Sequence, residues 1–421
     1  MSVLSRTILV CALGYFIDVF DIQLFGVLRT ASLSELGVPS AQLAAVGGNI
    51  LNAQMIGMVL GAFVWGWIGD RFGRLKAMYG SILFYSAGTF ACAFVQDPQI
   101  YGVLRLVTGM GLAGETGAAI TLVAEMMTPT KRTWGITTVA GIGMLGPVAA
   151  ILIAWFTPWR STYMIAGVLG VVILLLRLRL GESEMFKSLE GKDASRGSLK
   201  LFCRKEQLKV VGLCLLLGLP TTYFWFILNF FSAELGKAVL SAGEVLNPKS
   251  AFLCFYLGTS CGDIGSGLVS QLWQRRRGTL AVFIGGGGVL GLLYLLAGAQ
   301  LKLTCLTFYA VSFLLGCAGG CWALMCTLFT EHFGTNIRAT ATIVLTNLVR
   351  GLSILLILAF QLLQQSLSIT DAAALIGFVS LVSGLFALRC LKETHGTDLD
   401  YLELRVPLRA VRVESIKNRG G

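Results

Sequence analysis

Charged side chains are scarce in this sequence. Asp, Glu, Lys and Arg together make up 13% of its 421 residues, about half of the roughly 25% usual in soluble domains. So few solvated groups cannot cover a water-facing globule, and most of the surface must face lipid. Histidine is scarcer still: there is His332 and His395, with no nucleophile–base set around either. Cys317 and Cys321 near His332 lack the further ligands a metal would need. The eleven cysteines fall mostly inside apolar runs, where they pack as small apolar residues. An enzyme, a resident metal and a cofactor are therefore not expected. A cleavable signal is also missing, because the first apolar run (about Thr7 to Val27) is too long for a signal core and has no small-residue cleavage site.

Apolar residues are what the chain has in excess, at 55% with a mean hydropathy of +0.77. A membrane span needs about 20 mostly apolar residues. Twelve such runs can be drawn, at 6–29, 42–68, 76–96, 100–127, 134–157, 161–180, 208–235, 248–273, 279–299, 303–330, 338–364 and 371–391. The connection from Gly181 to Gln207 is the one long polar interruption, and a basic tail follows Lys392. Basic residues concentrate on even-numbered connections (Arg71, Arg74, Lys76; Lys131, Arg132; Lys187 to Lys209; Arg275 to Arg277; Arg338). The odd-numbered ones hold only Arg29, Arg160, Lys237, Lys249 and Lys302. Cytoplasmic loops carry the excess of Lys and Arg, which puts both termini and the central loop in the cytoplasm. The net charge of +11 follows from that asymmetry and is not a nucleic-acid signal.

The chain also repeats itself. GWIGDRFGRLK (Gly66 to Lys76) returns in weaker form as GLVSQLWQRRR (Gly267 to Arg277), 201 positions on. Glu125 stands seven residues before Arg132, and Glu331 seven before Arg338, an offset of 206. Two six-span halves joined by a basic loop explain this most simply, as in many secondary transporters. At this point the sequence resembles the major facilitator superfamily. GDRFGRLK is similar to that family's loop between its second and third spans, and RLVTGMGLAGETGAA (Arg105 to Ala119) to its fourth span. The Gly114–Glu115 pair, with GAAITLVAEMMTPTKR (Gly117 to Arg132) after it, resembles the metabolite:proton symporters and sugar porters more narrowly. The resemblance implies an all-α membrane protein of two pseudo-symmetric six-helix bundles. The bundles would span 1–180 and 208–391, with a linker at 181–207 and a cytoplasmic tail at 392–421, and would rock between inward- and outward-open states as a monomer. It also implies that Asp70 and Arg71 form a gate at the cytoplasmic surface. Arg74, Glu125, Arg132, Glu331 and Arg338 would extend that charge network, while Gln271 replaces the aspartate in the second half.

The remaining charges lie where hydrocarbon would penalise them. A carboxylate at a helix centre costs roughly +2.5 to +3.5 kcal/mol on insertion scales. Asp18 lies about 18 Å along the helix from Arg6, near mid-membrane. Asp18 and Asp21, three apart, share a helix face that must point away from lipid. Glu115 lies about 15 Å beyond Arg105, Asp263 in the eighth span and Arg350 in the eleventh. Four acids with one or two bases near one depth cannot all stay ionised, so at least one of Asp21, Asp18 and Glu115 is expected to hold the coupling proton. The plain alternative pairs Asp18 or Asp21 with Arg350 or Arg105 as static packing. For the substrate, Arg350, Asn347, Asp263, Tyr223, Trp225, Asn229, Gln54, Asn52 and Arg105 supply polar and aromatic groups. A guanidinium would suit a carboxylate and aromatics an apolar or ring-bearing part. AGIGMLGPVAA (Ala140 to Ala150) reads as a flexible or closely packed helix. It partly resembles the glycine–proline motif of proton antiporters, with Ile142 and Ala150 where glycines would stand. The expectation is a proton-coupled symporter of a small carboxylate, zwitterion or sugar. Its rivals are an antiporter or uniporter on the same fold and, from another class, a membrane sensor, which would need a signalling domain after Lys392.

Overall fold

A computed structural model describes residues 3–127, 132–177, 204–334 and 337–396. The linker expected at 181–207 lies outside these residues except for its last four, as does most of the tail. Within them the protein is helical, apart from one isolated bridge between Leu240 and Leu303. The N-terminal half comprises α1 (Val3–Glu35), α2 (Leu43–Phe72), α3 (Arg74–Cys92), α4 (Pro98–Leu112), α5 (Glu115–Met126), α6 (Arg132–Gly143), α7 (Gly146–Phe156) and α8 (Trp159–Arg177). The C-terminal half has α9 (Lys205–Tyr223), a π-helical stretch over Phe224–Asn229, α10 (Ser232–Val239), α11 (Pro248–Trp273), α12 (Arg276–Leu301), α13 (Cys305–Gly319), α14 (Trp322–Glu331), α15 (Arg338–Leu363) and α16 (Ile369–Cys390).

Local chemistry explains many of the boundaries. Asp97 and Asn247 accept from the second backbone N–H of α4 and α11, each ahead of a proline in the first turn, where a missing N–H costs nothing. Gly73, at φ +112°, turns α2 into α3, a conformation other residues rarely adopt. Pro147 restarts the fifth apolar run as α7, so the break between α6 and α7 falls within the glycine–proline stretch.

Among the described residues, ten helices, some of them jointed, are long and apolar enough to cross a membrane. The two expected runs that fall short of that measure are α3 and α4–α5. α3 carries buried Arg74 and exposed Lys76, and α4–α5 buried Arg105 and Glu115, which lower their hydropathy.

The internal repeat is visible in packing. A Cβ on Gly57 or Gly61 of α2 would sit 2.0 or 2.2 Å from a carbonyl oxygen of α4, and one on Gly109 of α4 would strike Gln54 O. The C-terminal half repeats this with Gly258 and Gly262 of α11 against α13, and Gly316 of α13 against Phe255 O. Small residues spaced by four let helix backbones touch in membranes, where dispersion contacts hold helices together. Gly57/Gly61 and Gly258/Gly262 are again 201 apart.

The halves meet along their whole length. At the end bearing Arg74 and Arg338, hereafter the basic end, Asp70 accepts from Thr340 N at 2.8 Å. Halfway through, Asn347 donates to Ala113 O at 2.9 Å and Ser260 to Gly141 O at 2.9 Å. At the opposite end Arg29 pairs with Glu234 at 3.1 Å, and Lys249 Nζ donates to Ala154 O at 3.0 Å.

Candidate functional site

The basic end is an ionic knot. Arg74 contacts Asp70 at 3.5 Å and Glu125 at 2.8 Å, and Arg338 of the other half reaches Glu125 at 3.6 Å. Glu331 pairs with Arg276 through two bonds of 2.6 and 2.7 Å, so Arg276–Glu331 mirrors Arg74–Glu125. Two expectations change here. Arg71 is not in the knot: it is exposed and lies over the rings of Trp67 and Phe72 at 5.1 and 5.7 Å. Neighbours in a helix diverge by about 100°, whereas Asp70 and Arg74 at i,i+4 face one another. Arg276, read from sequence only as a topology charge, is the buried partner of Glu331. The side chain of Arg132 lies outside the described residues.

Further in, the buried charges form three groups. Asp21 receives Arg105 Nη1 at 3.1 Å and the Thr89 hydroxyl. Arg105 is held twice more by Gln54 Oε1, at 3.2 and 2.8 Å, and by the backbone carbonyl of Asp21 at 3.0 Å. Gln54 is itself anchored through Nε2 to Ile22 O. Gln54 and Arg105, expected as substrate contacts, thus belong with Asp21.

In the second group Glu115 is clamped by both terminal nitrogens of Arg177, the last residue of α8, and both side chains are fully buried. Arg177 was not singled out from the sequence, where it falls inside the sixth apolar run. Gly14 makes room for the pair, since a Cβ there would collide with both side chains. The tally near mid-depth is therefore four acids against three arginines.

The third group lies between the halves. Tyr15 stands within electrostatic reach of Arg350, Asp263 and Asp18, all buried. The Arg350 guanidinium lies 5.2 Å from the Trp322 ring centre, and Trp322 packs against Trp225 at 5.2 Å. Asp263 accepts from Ala323 N at 3.0 Å, at the start of α14. The break between α13 and α14 frees that N–H, as the break between α4 and α5 frees the Ala113 carbonyl that takes Asn347. Discontinuous helices at mid-depth are how transporters expose backbone to a binding site. Asp263 Oδ2, Asn347 Oδ1, the Tyr15 hydroxyl and both indole N–H groups are buried without a hydrogen-bond partner among the described residues. Each such group costs on the order of 1–3 kcal/mol unless something meets it, so a polar ligand has partners here.

Three expected contacts lie elsewhere. Tyr223 points at Gly377 of α16 and Gly291 of α12, inside its own half. Asn229 sits beside Tyr256 of α11. Asn52 is buried on α2 and is not joined to the Arg350 group by any described bond.

A helical membrane bundle, jointed at mid-depth around buried charge and bridged between halves at both ends, is the build of a membrane carrier. The chain belongs to the Major Facilitator Superfamily, whose family model matches residues 11–358. It is an integral membrane transporter and not an enzyme. It is similar to a 4-hydroxybenzoate transporter of Pseudomonas putida, at 26% identity over 80% of each chain. It is also similar to a gentisate transporter of Corynebacterium glutamicum, at 24% identity over 81% of this chain and 78% of that one. Among solved structures it superposes on the xylose transporter XylE of E. coli, in a partially occluded inward-open conformation, with a TM-score of 0.74. That match has 13% identity and covers 95% of this chain and all of the other.

Proposed function

We propose that the protein is a proton-coupled symporter of small aromatic carboxylates, working by alternating access. In this reading α3 and α4–α5 complete twelve crossings, residues 1–180 and 208–391 form two six-helix bundles, and both termini and the linker are cytoplasmic. The basic end is then the inner gate and the Arg29–Glu234 end the outer one.

The observation that carries the coupling is the way Arg105 is held. Three of its hydrogen bonds go to Gln54 and to a backbone carbonyl, none of which changes when the Asp21 carboxylate takes a proton. Thr89 can turn its hydroxyl from donor to acceptor for the new O–H. Asp21 can therefore be neutralised without stranding the arginine. Glu115 is the opposite case, since no other acceptor for Arg177 is described, and its role is a clamp. Asp18, at the edge of the Arg350 group, couples proton and substrate sites electrostatically.

The substrate class rests on the third group. The Arg350 guanidinium lies over the Trp322 ring, which packs on Trp225, and a guanidinium with an apolar wall suits a carboxylate on a ring. The indole N–H groups, the Tyr15 hydroxyl and Asn347 suit a ring hydroxyl. The 4-hydroxybenzoate and gentisate transporters carry compounds of this chemistry.

Proteoliposomes with an imposed inward proton gradient should accumulate labelled 4-hydroxybenzoate and lose the excess when a protonophore is added. Equilibration indifferent to the gradient would identify a facilitator, and proton-driven expulsion an antiporter.

A further inference from the structure

Between the halves at the opposite end from the ionic knot lies a cavity of about 510 Å³. It is far along α1 from the Arg350 group and shares no residue with it. Its lining includes Arg29 and Lys249, with the rings of Trp155, Phe230 and Phe252. Two cations and three aromatic rings are an unusual lining for a mere gap between helices.

Arg29 is the informative residue. It is 7% exposed, yet it uses one terminal nitrogen on Glu234, while Nη1 has no hydrogen-bond partner among the described residues. Its guanidinium lies over the Phe230 ring, 4.6 Å from the centre. Glu234 is more exposed, at 28% of its side chain, and its Oε2 is likewise without a hydrogen-bond partner. The pair is therefore held by one bond where two are available. Lys249 spends one of its three N–H donors on Ala154 O across the seam. A fork-shaped cation with a spare donor, a second cation and flanking rings match a small aromatic carboxylate.

We propose that this cavity is a vestibular site for aromatic carboxylates, in which the ligand competes with Glu234 for Arg29 and so loosens the closure between the halves. The inference rests on the aromatic-carboxylate reading of the central site, at a different place and with its own residues. Occupancy would place substrate at the seam it has to open. The closure would then yield to the right anion in preference to a neutral molecule of the same shape.

The test is equilibrium dialysis of labelled benzoate against the purified full-length chain in neutral-lipid nanodiscs. Wild type should bind two benzoates per chain, and Arg350→Gln should keep one of them. Adding Arg29→Gln to that variant should weaken the remaining site about tenfold or more. Adding Glu234→Gln instead should tighten it, because the guanidinium is kept and its competitor removed. Both changes break the ion pair, so a purely structural latch would move both variants the same way, and that result would overturn the proposal. Benzamide, the neutral isostere, should not bind. Loss of all benzoate binding in Arg350→Gln would also refute the vestibular site. Binding that ignores Arg350 but follows Arg29 would uphold it while counting against the central substrate site.

Discussion

Glu115 and Arg177 allow the sharpest energetic prediction. The pair is fully buried on both sides, is joined by two hydrogen bonds, and fills the space left by Gly14. Glu115→Gln would leave the guanidinium with no anion in a low-dielectric interior, a change that typically costs about 3–5 kcal/mol. Arg177→Met should cost a similar amount by stranding the carboxylate. Replacing both should not add these losses, because the double variant holds two neutral chains of similar volume; neutral replacement of a buried pair is often close to free. With each single loss at about 3–5 kcal/mol and the double near neutral, the coupling energy comes to about 6–10 kcal/mol, above the roughly 0.5–3 kcal/mol usual for contacting residues. Unfolding of the purified variants in mixed micelles measures it. Gradient-driven uptake in the double variant checks that the pair is a clamp and not the proton carrier. Single variants as stable as wild type, or a double variant no better than the worse single, would refute the reasoning.

Arg350→Lys should weaken a carboxylate substrate by about tenfold or more, since an ammonium cannot make the planar two-point contact; unchanged counterflow affinity would show that Arg350 only packs. Asp70→Ala should remove the Thr340 cap and the Arg74 contact together, so that cysteines introduced near Thr340 label faster from the basic end; an unchanged rate would free Asp70 of any gating role. Gly61→Val and Gly262→Val should each abolish folded protein, because backbone oxygen or backbone carbon stands where the side chain would go. Gly212→Ala, with nothing within 4 Å of the new methyl, should be neutral or stabilise by about 0.5–1 kcal/mol, as thermal unfolding can show.

Much of this architecture could be read from apolar runs, because a lipid solvent leaves helices as the main option. The mid-depth expected for Asp18 and Glu115 comes from about 1.5 Å of rise per residue. Partners followed only in part: Asp21–Arg105 is among the pairings the sequence offers, but a helix count does not say which faces meet. Arg177 illustrates this: it falls inside the sixth apolar run, and nothing in the sequence shows that its side chain reaches Glu115. Arg71 was a different kind of miss, because helical phase already favours Arg74 as the partner of Asp70. The glycines 57/61 and 258/262 were legible at the same 201-residue offset as the loop repeat, and they mark where α2 meets α4 and α11 meets α13. Tyr223 lies against Gly377 and Gly291 inside its own half, a placement that apolar runs do not specify. Rotation about one helix axis is invisible to periodicity when nearly every residue is apolar.

The central claim is that Asp21 carries the coupling proton while Arg105 stays held by Gln54. Its most direct test is Asp21→Asn in proteoliposomes, scored for 4-hydroxybenzoate accumulation under an inward proton gradient and, in parallel, for counterflow exchange without one. Accumulation should fall to passive equilibration while exchange continues. Accumulation at the wild-type level would contradict that claim.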